Sequence, residues 1–161
     1  MATMRPKEFP KNPKDCHSEA KTFEAFSKLS QEWTVIYSYR WHGMRKGRIG
    51  DGEADFLLLH PRYGFYVAEV KGGSDIKFED GIYWQKSLGT WKPMTTGPFE
   101  QGTITSNQIS KHLKKYISQN TSPDLPRFVP NFGHFAVFPS AIEKNGFPPE
   151  GPREIIMDSD D

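Results

Sequence analysis

The sequence predicts an α/β fold with a mixed central sheet flanked by helices, and three observations support this prediction. Helix and strand patterns follow one another in the order α-β-β-β-α-β, which is typical of layered α/β domains. The runs Leu57-Leu58-Leu59 and Val67-Ala68 are apolar on both faces, as expected for strands in the middle of a sheet. The apolar stripe of an amphipathic helix is formed by Ile109, Leu113, Tyr116 and Ile117.

Length and composition limit the class of protein. The 161 residues suffice for one domain with a sizeable core. Lys and Arg number 21 and Asp and Glu 20, so the net charge of +1 gives no argument for a polyanion partner and any basic surface must be local. The single cysteine, Cys16, excludes an intrachain disulfide framework and a cysteine-cluster zinc site. No apolar stretch approaches membrane-spanning length, so we expect a soluble cytoplasmic protein without a membrane partner.

The N-terminal part of the chain is expected to be an arm followed by a helix. Residues 1–17 are rich in Pro and Lys and predict an extended arm, and residues 18–161 predict a single domain. Helix one is predicted over 18–30 with Ser18 as its N-cap. Glu19 falls on the inward stripe of this helix. Two interpretations fit it: a first-turn acid that favours the helix N-terminus, or a buried acid that is paired or bound to a cation.

The remaining elements follow from strand-forming runs and loop residues. Glycine and proline mark loops at 41–51, 87–98 and 141–152. A second helix is predicted over 99–118. Because the last predicted strand ends the chain abruptly, we expect the domain to be part of a longer multidomain protein. The predicted strands are 33–40, 54–60, 65–71, 76–78, 82–84, a segment within 131–140, and 154–157.

Asp55, Glu69 and Lys71 are the candidate catalytic residues. Asp55 opens one strand of the predicted central hairpin, and Glu69 and Lys71 close the other. Residues i and i+2 of a strand share a face, so Glu69 and Lys71 point the same way, and a suitable register adds Asp55. Such oxygen ligands, with the backbone carbonyl of Val70, suit Mg²⁺ or Mn²⁺. The simpler alternative is that all three are solvated charges at strand ends.

The segments around these residues resemble a known family. Gly52-Glu53-Ala54-Asp55-Phe56, the Pro61-x-x-Gly64 turn and Glu69-Val70-Lys71-Gly72-Gly73 are similar to the nuclease-related domain family. That family belongs to the PD-(D/E)xK, restriction-endonuclease-like superfamily. Pro98-Phe99-Glu100-Gln101 resembles its Asn-Pro-x-x-Gln motif, and the resemblance extends from Ser18 to about Pro139.

The resemblance implies a restriction-endonuclease-like αβββαβ core, metal-dependent DNA cleavage, and a helicase domain in the same or a partner protein. By position, Asp55, Glu69 and Lys71 match the superfamily signature. Glu19 matches the acid of the first helix, which implies a part in catalysis and in metal binding, and Gln101 matches the motif glutamine. The sequence departs from the family pattern at Gly97, where Asn is usual, and at Lys21, where a second acid often occurs.

Two groups of cations are candidates for DNA binding. The first group precedes the Asp55 strand, where it either grips phosphates or forms a solvated loop. Lys111, with Lys114 and Lys115, either contacts phosphate or forms a solvated helix face. Trp41 either stacks on a base or packs over the sheet edge. The cations of the first group are Arg40, Arg45, Lys46 and Arg48.

The sequence as a whole predicts a Mg²⁺- or Mn²⁺-dependent deoxyribonuclease whose partner is DNA. One alternative is a catalytically silent DNA-binding or docking module of the same fold. Another is a metal-dependent hydrolase of a small phosphoester.

Overall fold

The structure, a computed structural model, describes residues 1–45, 47–120, 122–125, 129–141, 146–147 and 151–161. A curled mixed sheet with one helix on each face forms its centre. In chain order the elements are β1 (Thr3–Arg5), α1 (His17–Ser27), β2 (Thr34–Arg45), β3 (Arg48–His60), β4 (Gly64–Val70), β5 (Asp75–Glu79), β6 (Ile82–Ser87), β7 (Thr90–Pro93), α2 (Pro98–Gln119), β8 (Phe132–Phe138), a 3₁₀ turn (Arg153–Ile155) and β9 (Ile156–Asp158).

The central sheet has six strands in the order β1-β2-β3-β4-β8-β9. The middle pairs β2–β3 and β3–β4 are antiparallel, whereas β1, β8 and β9 join in parallel. A separate antiparallel sheet, β5-β6-β7, lies between β4 and α2 in the chain. The predicted α/β class is therefore confirmed, with α1, β2, β3, β4, α2 and β8 in the predicted order.

Apolar residues on both faces of β3 and β4 pack against the two helices, one on each side of the sheet. Phe56 and Leu58 pack with Phe23 and Phe26 of α1, whereas Leu57 of the same strand packs with the α2 cluster. Successive side chains of a strand point to opposite faces, so alternate residues of a continuous apolar run pack against α1 and against α2. Full burial of each large side chain contributes about 1.5–3 kcal/mol relative to exposure.

The predicted loop at 41–51 is wrong, because β2 and β3 continue as an antiparallel ribbon to Arg45↔Arg48. Trp41 is buried against its cross-strand partner Gly52, where a Cβ atom would lie 2.1 Å from the indole. Gly43 in turn lies against Gln108 of α2. The glycines that suggested a loop therefore permit close packing of the ribbon on the helix.

Smaller differences concern the ends of elements. Helix α1 begins at His17 with Cys16 as N-cap, and the predicted cap Ser18 instead accepts a hydrogen bond from the Thr22 hydroxyl through its carbonyl oxygen. The predicted loop at 87–98 contains β7, which pairs with β6. Residues 3–5, in the expected arm, pair with β2. Most of the loop predicted at 141–152 lies outside the described residues.

Within the described ranges, no helix has both the length and the apolar character needed to cross a membrane.

Candidate active site

The candidate active site lies where β3 and β4 separate. Their ladder ends at Phe56↔Ala68. Beyond this pair, the Asp55 carboxylate accepts a hydrogen bond from the Val70 backbone N–H, with Oδ2 and N 2.8 Å apart. Strand β4 continues alongside β8, whereas β3 continues alongside β2 into the ribbon. Asp55 therefore lies at a fork, opposite the end of β4.

A kink in β2 and β3 coincides with Asp55. The β2–β3 ladder skips the pair Ser38 and Asp55, and Ser38 has a left-handed φ of 56°. Tyr37 packs in the α1 cluster, yet Tyr39 packs in the α2 cluster, which reverses the normal alternation of a strand. Ala54 shows the same reversal on β3 relative to Phe56. Both strands thus change face at the position of Asp55.

Lys71 connects the end of β4 to α2. Its Nζ lies 2.7 Å from Oε1 of Glu69 and 2.9 Å from Oε1 of Gln101 and donates to both. The Glu69 side chain is 2% exposed and that of Lys71 18%. A carboxylate this deeply buried is costly unless its charge is compensated, and the ammonium supplies such compensation.

Gln101 reaches Lys71 from the first turn of α2. Gly97 is the N-cap, Pro98 opens the helix, and Gln101 N–H donates to the Gly97 carbonyl at 3.1 Å. A Cβ atom at Gly97 would lie 2.9 Å from the Tyr83 ring of β6. Glycine at this position, where the resembled motif has Asn, is therefore required by the packing of the second sheet against the helix.

Asp55 lies in an unfavourable electrostatic environment. Burial raises its pKa above the ordinary value, and the negative charges of Glu19 and Glu53 raise it further. The Val70 N–H and the Lys71 ammonium oppose this effect by favouring the carboxylate. The balance leaves the pKa raised, so a cation near the fork would stabilise the charged form.

Glu19, in the first turn of α1, is held by two donors. The Tyr37 hydroxyl and the Lys11 ammonium both donate to Oε2, the ammonium from 3.2 Å. Burial and the Glu19 carboxylate raise the pKa of Tyr37 to about 12, so the phenol remains a donor at neutral pH. The Tyr37 hydroxyl and Glu19 also raise the pKa of Lys11 above its usual range. Glu19 is thus both a first-turn acid and a paired acid, and the arrangement agrees with both interpretations.

The structure distributes the basic candidates along the ribbon and α2. Arg40 is 85% exposed in its side chain, with its Nε 4.0 Å from Oε2 of Glu53. Arg45 and Arg48 pair at the far end of the ribbon, where Arg48 is exposed. Lys46 lies outside the described residues. Lys111 is exposed on α2, about 15 Å along the helix axis from Gln101.

Three clefts that share lining residues lie next to one another around the fork, and together they are called the groove. One of about 240 Å³ contains Asp55 and Gln101. A second, of about 280 Å³, contains Lys71 and Gln101 and reaches β6 and β7. A third, of about 650 Å³, shares Trp41 with the first and follows the ribbon past Arg40. The groove thus leads from the second sheet past Lys71 and Asp55 to the basic ribbon.

The donor chemistry of the fork fits a hard divalent cation. Asp55 and Glu69 offer carboxylate oxygens, and Val70 adds a backbone carbonyl between the two strand ends. Burial, with the negative charges of Glu19 and Glu53, raises the pKa of Asp55, a cost that a bound cation would relieve. No group of three or more His, Cys, Asp or Glu side chains among the described residues is arranged to hold a metal ion.

Comparison with known proteins adds a family to this geometry. A model of the nuclease-related domain matches residues 16–139, which include the fork, Lys71 and Gln101. The chain belongs to the nuclease-related domain family. No curated protein and no solved structure matches it. Membership of this family agrees with the nuclease-like α/β fold and supports a nuclease-like role for the domain.

Sequence reasoning missed three residues at the site of this nuclease-related domain. Glu53 lines the Asp55 cleft and accepts a hydrogen bond from the Ser38 hydroxyl. Its position two residues before Asp55 was a usable signal, since strand residues two apart tend to share a face. Tyr37, on the α1 side of β2, was detectable by the same alternation. No sequence pattern indicated Lys11, because its contact with Glu19 depends on how the N-terminal segment packs against β2 and α1.

Proposed function

We propose that this domain is a Mg²⁺- or Mn²⁺-dependent deoxyribonuclease that hydrolyses phosphodiester bonds. The observation that carries the proposal is the Lys71 ammonium, which lies between the buried Glu69 carboxylate and the Gln101 amide, next to the fork that holds Asp55. Family membership supports it independently.

Asp55, Glu69, the Val70 carbonyl and Glu19 are the residues proposed to hold the metal. When bound, the ion would lower the pKa of a water and stabilise charge on the phosphoryl oxygens. Glu19 contributes through its negative charge, which already acts on Asp55.

Lys71 supplies fixed positive charge next to the scissile phosphate in this proposal. Its three donors allow it to keep Glu69 and Gln101 while the third N–H points to a water or a phosphoryl oxygen. Gln101 orients the ammonium from a rigid helix, which limits the reorganisation needed during the reaction. The groove brings DNA to this point, with Arg40, Arg45, Lys46, Arg48 and Lys111 as proposed phosphate contacts.

A catalytically silent DNA-binding module is the second candidate. The contacts of two site acids favour it. The negative charge of Glu69 is already compensated by Lys71, and that of Glu19 by Lys11, so neither carboxylate requires a metal ion for charge compensation. Such a module would bind DNA in a salt-dependent manner but would not cleave it when Mn²⁺ is added.

Substitution of Lys71 tests the proposal. We expect Lys71→Met to lower Mn²⁺-dependent cleavage at least ~100-fold, because the charge next to the phosphate is lost. Since Glu69 is buried, the same change lowers the free energy of unfolding by about 3 kcal/mol. A Glu69→Gln/Lys71→Met double variant removes the buried charge and should regain stability while staying inactive.

The assay uses plasmid, single-stranded and branched DNA and a chromogenic phosphodiester, each with Mn²⁺ or EDTA. Lys28→Met, at the exposed C-cap of α1, is the matched control. Wild-type rates from Lys71→Met would disprove the mechanism. DNA binding by the wild-type protein without cleavage would support the silent module, and cleavage of the small diester alone would indicate a different hydrolase.

A further inference from the structure

The N-terminal segment, residues 1–11, is docked on the α1 side of the domain. Strand β1 pairs in parallel with β2, from Thr3↔Thr34 to Arg5↔Ile36. The Phe9 ring lies 5.5 Å from the Phe23 ring and 5.1 Å from the Tyr37 ring, centroid to centroid. This segment precedes the part of the chain that the family model matches, residues 16–139. It lies outside the matched residues and is held in place by backbone pairing and aromatic packing.

Docking of this segment delivers one cation to the candidate active site. Lys11 Nζ lies 3.2 Å from Oε2 of Glu19 and 5.3 Å from the centroid of the Tyr37 ring. The Tyr37 hydroxyl donates to the same carboxylate oxygen. The negative charge of Glu19 is thus compensated from within the chain.

A second lysine pair on α1 provides a comparison. Lys28 and Glu24 also form an ion pair, with 3.1 Å between Nζ and Oε1. Their side chains are 69% and 74% exposed, so water and salt screen them and neither touches an aromatic ring in any described contact. The Glu19 side chain is only 27% exposed, and the stem of Lys11 covers Tyr37. The Lys11 contact is the better shielded of the two.

We infer that Lys11 competes with the metal ion for the Glu19 carboxylate. In the resting protein the Lys11 ammonium occupies the cation position next to Glu19. The inference rests on the proposed function, in which Glu19 helps to hold a divalent cation. A cation that uses Oε2 of Glu19 must displace the ammonium. Rotation of one long side chain achieves this, while β1 and Phe9 stay docked. The N-terminal segment thereby sets the metal concentration at which the site fills.

The opposite role of Lys11 makes a different prediction. If the ammonium were part of the catalytic machinery, its removal would lower cleavage and leave metal affinity unchanged or weaker. If it is a competitor, its removal strengthens metal binding. The sign of the change in affinity therefore distinguishes the two roles.

The experiment is a Mn²⁺ titration of the full chain without DNA, followed by the electron paramagnetic resonance signal of free Mn²⁺ and by calorimetry. We expect Lys11→Met, which keeps the aliphatic stem over Tyr37, to bind Mn²⁺ about fivefold more tightly than the wild type. Lys28→Met should match the wild type. In a Glu19→Gln background, Lys11→Met should have no further effect, because the shared carboxylate is gone.

Unchanged or weaker Mn²⁺ affinity in Lys11→Met would overturn the inference, as would a lack of Mn²⁺ binding by both proteins. An equal gain in Lys28→Met would also overturn it, since general charge rather than the Glu19 contact would then be responsible. Failure of the proposed function is a separate result: Mn²⁺ binds more tightly to Lys11→Met, yet neither protein cleaves DNA.

Discussion

At the scale of single residues, the Asp55 carboxylate lies in an environment that disfavours its charge, although its proposed role in catalysis requires that charge. Its carboxylate is partly buried, faces the negative charges of Glu19 and Glu53, and receives one backbone N–H from Val70. Burial is the largest influence and raises the pKa of Asp55. Because the folded-state pKa exceeds the unfolded value of 3.8, the native state binds a proton more tightly. The stability that this group contributes is therefore greatest below the unfolded pKa and falls as pH rises through the folded one.

Replacement of Asp55 by Asn tests this balance. The Asp55→Asn side chain keeps an oxygen acceptor for the Val70 N–H but carries no charge. We expect it to raise the free energy of unfolding at pH 7 by about 1 kcal/mol while abolishing cleavage. Asp55→Ala should be less stable than Asp55→Asn, because the Val70 N–H loses its acceptor. Urea denaturation at pH 7 and pH 4 measures both effects, and a less stable Asp55→Asn at pH 7 would contradict the account.

At the scale of elements, the kink at Ser38 positions Asp55. A left-handed conformation costs a non-glycine residue about 1 kcal/mol, and at Ser38 it coincides with the change of face of both β2 and β3 at the fork. Tyr37 can then hold Glu19 on the α1 side, while Trp41 lines the cleft that contains Asp55. Local strain in β2 is thus used to present groups from both layers to one site.

Substitutions at Ser38 test the role of the kink. A β-branched side chain is poorly tolerated at positive φ, so Ser38→Val should lower stability by about 2 kcal/mol and reduce cleavage. Glycine adopts this conformation readily, so Ser38→Gly should retain activity despite the lost hydroxyl contact with Glu53. Thr34→Val, at a regular position of the same strand, is the control. Thermal unfolding and cleavage assays provide the readout, and a Ser38→Val variant with normal activity would show that the kink is dispensable.

At the scale of the whole molecule, charge is nearly balanced and its local distribution matters. The net charge of +1 provides little long-range attraction for DNA. The β2–β3 ribbon, however, carries Arg40 in the groove that leads to the fork and exposed Arg48 at its far end. DNA affinity should therefore depend on these few cations rather than on the total charge.

Neutralising the ribbon tests this distribution. We expect Arg40→Gln/Arg48→Gln to weaken DNA binding about tenfold and to reduce the slope of log K against log salt by about 2. Thermal stability should stay unchanged, because Arg40 is exposed and its contact with Glu53 is long. Lys28→Gln/Arg62→Gln removes two exposed cations elsewhere. Fluorescence anisotropy in EDTA at several salt concentrations measures the DNA affinity of both double variants. Equal losses of DNA affinity in the two would contradict a role for the ribbon.

The sequence by itself determined the order of α1, β2, β3, β4, α2 and β8 and the central position of β3 and β4. Local patterns suffice here, because apolar residues on both faces of Leu57-Leu58-Leu59 record burial by two layers. The spacing of Glu69 and Lys71 likewise placed them together, since strand geometry is regular over two residues.

Only the tertiary structure decided which distant residues contact the site residues that the sequence had identified. The Lys71 contact with Gln101 spans 30 residues, and the Lys11 contact with Glu19 depends on the docking of Phe9 and β1. The ribbon formed where glycines suggested a loop, because Trp41 is buried against Gly52. Periodicity records which faces of an element are buried, but long-range packing determines what they are buried against, and in this domain that packing assembles the candidate site.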